Sequence, residues 1–469
     1  MKGLTRIGIL MSLGVLAFLI NPDVTRAQNS NSRGCAWPIE MSPEGTANVQ
    51  APDAAARYWV MPFDTTRYKT MTIKGTYPHI RYFSIAAYNT LNGDFDLDED
   101  GHLYDAQIAP DPGSINPFVR PGEEKKFMNP FIRPGCSNGT YTVVISRTPE
   151  SSGNTITVSS DLAWVVLRMY VADNDPSQSG RGLMGGVPLP TITLTHNDAD
   201  EKFEKLETCS PVNKWADLSS FDTFLFPPTL DLSVDEGEPD SDRLWFATPE
   251  KPPGILWPNP DGKYLMMMPG NEYQPGRIIV IHGKAPGFPD TFNGSPIWVP
   301  SWGFRNVDLR YWALCNVNFA VPLSVVDCAT DLTTHLQDSR NDSPWVVRPG
   351  RFRKAEYYYT IVISDDRQRP NWLKPDINWL PWGDEQYPKL VVLRNMLPAT
   401  NFSYAVQDAW KAGIDCQVNF TLDDIPDTNA LKEPGECAQR VMGDYYPVAA
   451  WCDKSTFIHG GWRACLNEW

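Results

Sequence analysis

The chain has 469 residues, a net charge of −15 and 42% hydrophobic side chains, which is enough for two or three domains with cores of their own. Its acidic surface repels phosphate backbones and anionic headgroups, which argues against nucleic-acid binding and general attachment to acidic membranes. The 42 prolines and 33 glycines call for many turns and few long helices.

Residues 1–27 read as a signal peptide. Lys2 and Arg6 precede an apolar stretch from Ile7 to Ile20, and Thr25-Arg26-Ala27 sets small residues at the cleavage positions. Removing that segment takes away Lys2, Arg6 and Arg26 but only Asp23, so the remainder is more acidic still. No later apolar run approaches the roughly 18 residues that cross a bilayer. The expectation is a secreted or periplasmic protein without a transmembrane segment in its mature part.

All nine cysteines lie beyond the leader, and export makes disulfides available. Cys416, Cys437, Cys452 and Cys465 can pair in three ways. Cys315 and Cys328 are close enough in sequence to close a local loop, and Cys35, Cys136 and Cys209 leave one cysteine over. No pair has CxxC spacing, so zinc-ribbon and thioredoxin chemistry find no support.

Five blocks then recur in the same order. Residues 28–233 contain NVQAPDAAARYWVMP, TIKGTYPHIRYFS, NPFVRPG, YTVVIS and WVVLRMY; residues 259–415 contain NPDGKYLMMMP, VIHGKAP with LRYWAL, SPWVVRPG, YTIVIS and LVVLRNM. Arg168 follows Arg81 by 87 residues and Arg394 follows Arg310 by 84. The shared blocks are rich in β-branched and aromatic residues and bounded by turn formers, as strands are. Two tandem antiparallel β-sandwich domains, jelly-roll-like and descended from an internal repeat, are expected. An acidic, proline-rich connector at 234–258 joins them, and a disulfide-bonded, cysteine-rich tail at 416–469 closes the structure. Helices are expected only within NFSYAVQDAWKAG, residues 401–413, and ECAQRVMG.

The blocks IRYFS, LRYWAL and DPGSINPF, and INWLPWG followed by VVLRNMLP, resemble a group of exported, functionally uncharacterised bacterial proteins with tandem jelly-roll-like domains of unknown function. The resemblance spans most of residues 35–450. It implies the sandwich fold and brings no reaction with it. Ala313 stands where the first copy has Ser84, which counts against a catalytic serine.

DFDLDEDGHLYDAQ, residues 94–107, has the spacing of a calcium loop: Asp96, Asp98 and Asp100 at alternate positions, Gly101 for the turn, the His102 carbonyl next, and Gln107 where a bidentate glutamate usually sits. Asp105 lies two residues before it and offers a further carboxylate. The expected cofactor is one structural calcium ion; the competing reading is a solvated acidic loop. In the strands, alternation puts Arg168 on one face with Trp164, Val166 and Tyr170, and Arg394 with Leu390, Val392 and Met396. An arginine on an apolar face needs a carboxylate or an anionic ligand. Arg81, Arg168, Arg310 and Arg394 are therefore either structural ion pairs anchoring each sandwich or a groove for a glycan or small anion, with Tyr82 and Tyr311 as its walls. Trp372, Trp379 and Trp382 either stack on that ligand or cap a sandwich end.

SGRGLMGG resembles a dinucleotide fingerprint, but Pro188 and Pro190 occupy the place of the required helix. GxSxG, HExxH and SxxK are absent. Two functional readings stand: a binding or cell-envelope protein, or a hydrolase using loop carboxylates such as Asp105, Asp111, Asp327, Asp331 and Asp338.

Overall fold

The computed structural model describes residues 34–466 apart from 45–46, 92–93, 120–138, 150–152, 173–183, 199–201, 210–241, 252–256, 271–272, 290, 294–306, 321–322, 339–343, 346–356, 421–425 and 427. Expectations for the leader, for most of the connector, for the NPFIRPG block and for Cys136 fall outside the described residues.

Sixteen strands carry the architecture. The first eight are β1 Ala56–Asp64, β2 Tyr68–Thr76, β3 Ile80–Leu91, β4 His102–Tyr104, β5 Thr140–Ser146, β6 Asn154–Thr157, β7 Leu162–Ala172 and β8 Thr191–His196. The second eight are β9 Gly262–Met267, β10 Arg277–Lys284, β11 Leu309–Asn318, β12 Val325–Thr330, β13 Tyr357–Ser364, β14 Asn378–Pro381, β15 Lys389–Pro398 and β16 Val448–Asp453. One sheet runs β1-β7-β3-β4 and its counterpart β9-β15-β11-β12; the other runs β8-β2-β5-β6 and its counterpart β16-β10-β13-β14. Each strand thus matches the one eight places later in chain order. Even the exception is shared: β6 on β5 and β14 on β13 are parallel pairs, whereas their neighbours in these sheets are antiparallel.

Register matches as well. Tyr58 and Ser84 flank Arg168 on neighbouring strands, and Tyr264 and Ala313 flank Arg394. The shared glycine has a physical reason in both halves. Gly75 lies opposite Tyr141 and Gly283 opposite Tyr359, and a Cβ on either glycine would come within 2.5 Å or 2.8 Å of the tyrosine hydroxyl.

The sheets stack in four layers. The first sandwich closes over Trp59, Phe83, Val165 and Leu167 from its inner sheet and Ile73, Val143 and Ile192 from its outer one. The opposite face of that inner sheet, with Tyr82, Trp164, Val166 and Tyr170, meets the inner sheet of the second sandwich in one continuous core. Inner strands are therefore buried on both faces, which is why LAWVVLRMYVA and LRYWALCNVN are apolar almost throughout while β2 and β5 alternate.

The cysteine-rich tail does more than close the structure: its strand β16 lies beside β10 inside the outer sheet of the second sandwich. Described cysteines pair as Cys35–Cys209, Cys315–Cys328, Cys416–Cys437 and Cys452–Cys465. Helix α1 spans Val406–Lys411 and α2 spans Lys432–Met442, both where the sequence places them. A third helix, α3, Lys454–Leu466, lies where none was expected. Its Gly460-Gly461 pair disfavours a helix, and Gly461, at φ 65°, kinks it into two pieces; burial of Phe457 and Leu466 and the Cys452–Cys465 bridge hold those pieces against the sheet. No helix among the described residues is long and apolar enough to cross a membrane.

Candidate functional site

The four arginines meet in the layer between the sandwiches, and the ion pairs of Arg81, Arg310 and Arg394 run across that layer to the other half instead of anchoring each sandwich by itself. Arg81 pairs with Asp331 and donates through Nε to Thr291 Oγ1 at 2.9 Å. Arg310 donates to Asp105 Oδ2 at 2.9 Å and to the Arg81 carbonyl at 2.8 Å. Tyr82 donates to Asp261 at 2.7 Å, and Tyr311 to Asp53 at 2.6 Å. These contacts are reciprocal: Asp105 and Asp331 each follow the fourth strand of their own half, and their amides donate to Phe83 and Trp312, equivalent positions of β3 and β11. Reciprocity of this kind is what a two-fold-like contact between similar surfaces produces.

The reciprocity breaks at one place. Arg394 donates to Asp53 Oδ2 at 2.7 Å and to the Ala51 carbonyl. Arg168, its counterpart, donates from Nη2 to the Trp257 carbonyl and the Tyr88 hydroxyl, both at 2.7 Å, and reaches no carboxylate among the described residues. Its side chain is buried, with the residue only 3% exposed, and Nη1 has no hydrogen-bond partner among the described residues. The carboxylate equivalent to Asp53 is Asp261, and it is engaged elsewhere, by Tyr82 and by His102 Nε2 at 3.3 Å. Register explains the difference. His102 lies opposite Ala86 in the first half; the matching positions in the second half are Cys328 and Cys315, joined as a disulfide beside Asp53. A disulfide has no proton to donate, so Asp53 is left for Arg394; an imidazole has one, and Asp261 turns to it.

Arg168 and Arg394 line the same cavity of about 70 Å³ with Tyr58, Tyr170, Tyr264 and Asn259. Tyr58 and Tyr170 share a 2.6 Å hydrogen bond. Burial lifts the Tyr58 and Tyr88 hydroxyls to about 12, so both stay neutral. The rim is conformationally strained. Ala51 and Trp257, whose carbonyls receive the two arginines, have φ of 52° and 44°, and Val171 and Leu397, each three residues beyond its arginine, have 53° and 44°. Non-glycine residues rarely sit there, and β-branched valine least of all.

The other expected site residues separate into two groups. Trp382 is buried against Trp451 and Tyr273. Trp372 and Trp379 pack in the small core beneath α3, Trp372 edge-on to Phe457. None of the three lines the arginine cavity. In the aspartate stretch, Asp96 is exposed and pairs with Lys251, Asp98 accepts from Ser159, and the Gln107 side chain accepts from the Tyr104 amide. Asp105 belongs to Arg310 and the His102 ring to Asp261. Among the described residues, no three side-chain ligands of this loop come within 4.8 Å of one another. The partners Asp53 and Asp261 were missed in the sequence, although the shared APD and NPD triplets before Tyr58 and Tyr264 mark both.

Asp105 and Asp331 carry the clearest pH dependence. Burial pushes Asp105 up to about 6 and Asp331 up to about 7, with Arg310 and Arg81 opposing. Both bind protons more readily folded than unfolded, so the stability they bring is full below about pH 4 and is lost as pH rises through about 6 and about 7. Calorimetry is expected to show a higher unfolding midpoint at pH 5 than at pH 8, with the difference reduced in Asp105→Asn.

No family model matches the sequence, and no curated protein matches it. Among solved structures, an uncharacterized protein from Burkholderia cenocepacia is 14% identical, with 78% of this chain and 80% of that chain covered at a TM-score of 0.43. The VPA0106 protein from Vibrio parahaemolyticus is 11% identical, with 82% and 92% covered at a TM-score of 0.35.

Proposed function

We propose that this is an exported binding protein, built by duplication of one sandwich, that holds a small anion in the layer between the two copies. The observation that carries the reading is Arg168: a buried guanidinium that, among the described residues, has no carboxylate partner and an unpartnered Nη1, on the wall of a cavity it shares with Arg394. Leaving a buried charge uncompensated is costly, and an anionic ligand supplies the compensation. Eight strands matched in order and register support duplication, and the four disulfides suit an exported chain.

A small anion has more support than a glycan, because the tryptophans a sugar would stack on are engaged in packing away from the arginines. The hydrolase reading has less support. Asp105 and Asp331 are fully buried against arginines, so neither is free to serve as a solvent-facing acid or base. A calcium ion at Asp96, Asp98 and Asp100 remains part of the proposal on the strength of their spacing. It predicts a calcium-dependent rise in the unfolding midpoint that Asp96→Ala with Asp98→Ala abolishes; an unchanged response in the double variant removes the ion.

The anion site is tested by thermal unfolding in a panel of sodium salts at constant ionic strength. At a hundred times its Kd a ligand stabilises by about 2.7 kcal/mol. The midpoint is expected to rise by several degrees with at least one small anion, and Arg168→Met is expected to fold and lose that rise. An equal rise in the variant refutes the site.

A further inference from the structure

Resting on the anion site just proposed, we infer that its ligand is a short aliphatic carboxylate of two or three carbons. Two properties of the cavity point there. The first is size. An engineered apolar cavity of about 150 Å³ holds benzene, with its six heavy atoms; by the same ratio about 70 Å³ encloses about three heavy atoms, and because the cavity is only partly enclosed its mouth admits one or two more, for about three to five in all. Acetate and propionate fall in that range, and a monosaccharide or a long fatty acid does not.

The second property is polarity along the strands. Arg168 and Arg394 form one level of the cavity wall, with the phenols of Tyr58 and Tyr264 opposite them on neighbouring strands. Two residues away on the same faces, roughly 7 Å along the chain, the lining becomes Val166, Val392 and Met266, with Leu390 beyond. A carboxylate suits the first level, where it accepts from the guanidinium and a phenol. A methyl or ethyl group suits the second. Sulfate or phosphate presents oxygens in every direction, and those facing the valines and methionine would be buried without donors. The site thus has the two ends of a short-chain acid, and the strands hold those ends a fixed distance apart.

The test is isothermal titration of the full chain with formate, acetate, propionate, butyrate, chloride and sulfate at one pH and ionic strength, in the parent and in Arg168→Met and Val392→Thr. Val392→Thr keeps the volume of the side chain and places a hydroxyl at the apolar level. Affinity is expected to rise about fourfold for each buried methylene from formate to propionate, and to fall again at butyrate. In Val392→Thr that rise is expected to flatten while formate binding is retained. Sulfate or chloride binding at least as tightly as propionate, or a chain-length rise unchanged in Val392→Thr, overturns the carboxylate assignment and leaves the anion site standing. Binding of no anion at all, or binding indifferent to Arg168→Met, overturns both.

Discussion

Asp331→Ala is expected to destabilise the protein by about 3–5 kcal/mol, the loss found when one partner is removed from a buried ion pair. The alanine leaves Arg81, itself 1% exposed, with its Nε–Thr291 hydrogen bond and no carboxylate. Because the pair joins the two sandwiches, the loss falls on the inter-sandwich layer and not on either core. Asp331→Asn keeps an oxygen acceptor in place and is expected to lose less than half as much. Replacing both members by apolar residues of similar volume removes the uncompensated charge and is expected to recover most of the stability. Urea unfolding of the three variants distinguishes these outcomes, and a double variant no better than Asp331→Ala would show that the pair is not the source.

The second large effect is a difference between two equivalent arginines. Arg394→Met strands the fully buried Asp53 carboxylate, which among the described residues then accepts only from the Tyr311 hydroxyl and the Ala55 amide. A loss of about 3–5 kcal/mol is expected. Arg168→Met strands no carboxylate. It removes a buried cation that has only neutral partners, so stability measured without added anion is expected to stay level or to rise. Two substitutions of the same residue type, at matched positions of matched strands, would then differ, one costing stability and the other not. Equal losses in both would mean that Arg168 is as well compensated as Arg394, and the case for a ligand would fall with that result.

Much of this arrangement was legible in the sequence because it follows from local pattern. The recurring blocks place strands, and β7 and β15 stand where WVVLRMY and LVVLRNM put them. Alternation put Arg168 with Trp164, Val166 and Tyr170, and all of these face the inter-sandwich layer. The two-sided burial of the inner strands was foreshadowed by their unbroken apolar runs. Less legible was the meaning of the aspartate stretch. Asp105 reads as a member of an acidic loop, yet it is the structural equivalent of Asp331 and belongs to the shared scaffold, because the few residues of β4 pair with β3 as β12 pairs with β11. Three tryptophans in one proline-rich segment read as packing or as a stacking platform, since composition does not say which face a sheet leaves open.

What the amino-acid order determined by itself is the two sets of strands, their matching order, and the presence of cations on apolar faces; period-two alternation and steric strand preference act within a few residues, so they are written into the chain. Which carboxylate meets which arginine was decided only in the tertiary structure, by partners some 200–340 residues away. The decisive exchange, His102 in one half for a disulfide-bonded Cys328 in the other, changes which aspartate is free. Its consequence for Arg168 exists only once two sheets lie face to face, because hydrogen bonding is short-ranged and a donor can use only the acceptors the fold brings within 3 Å or so.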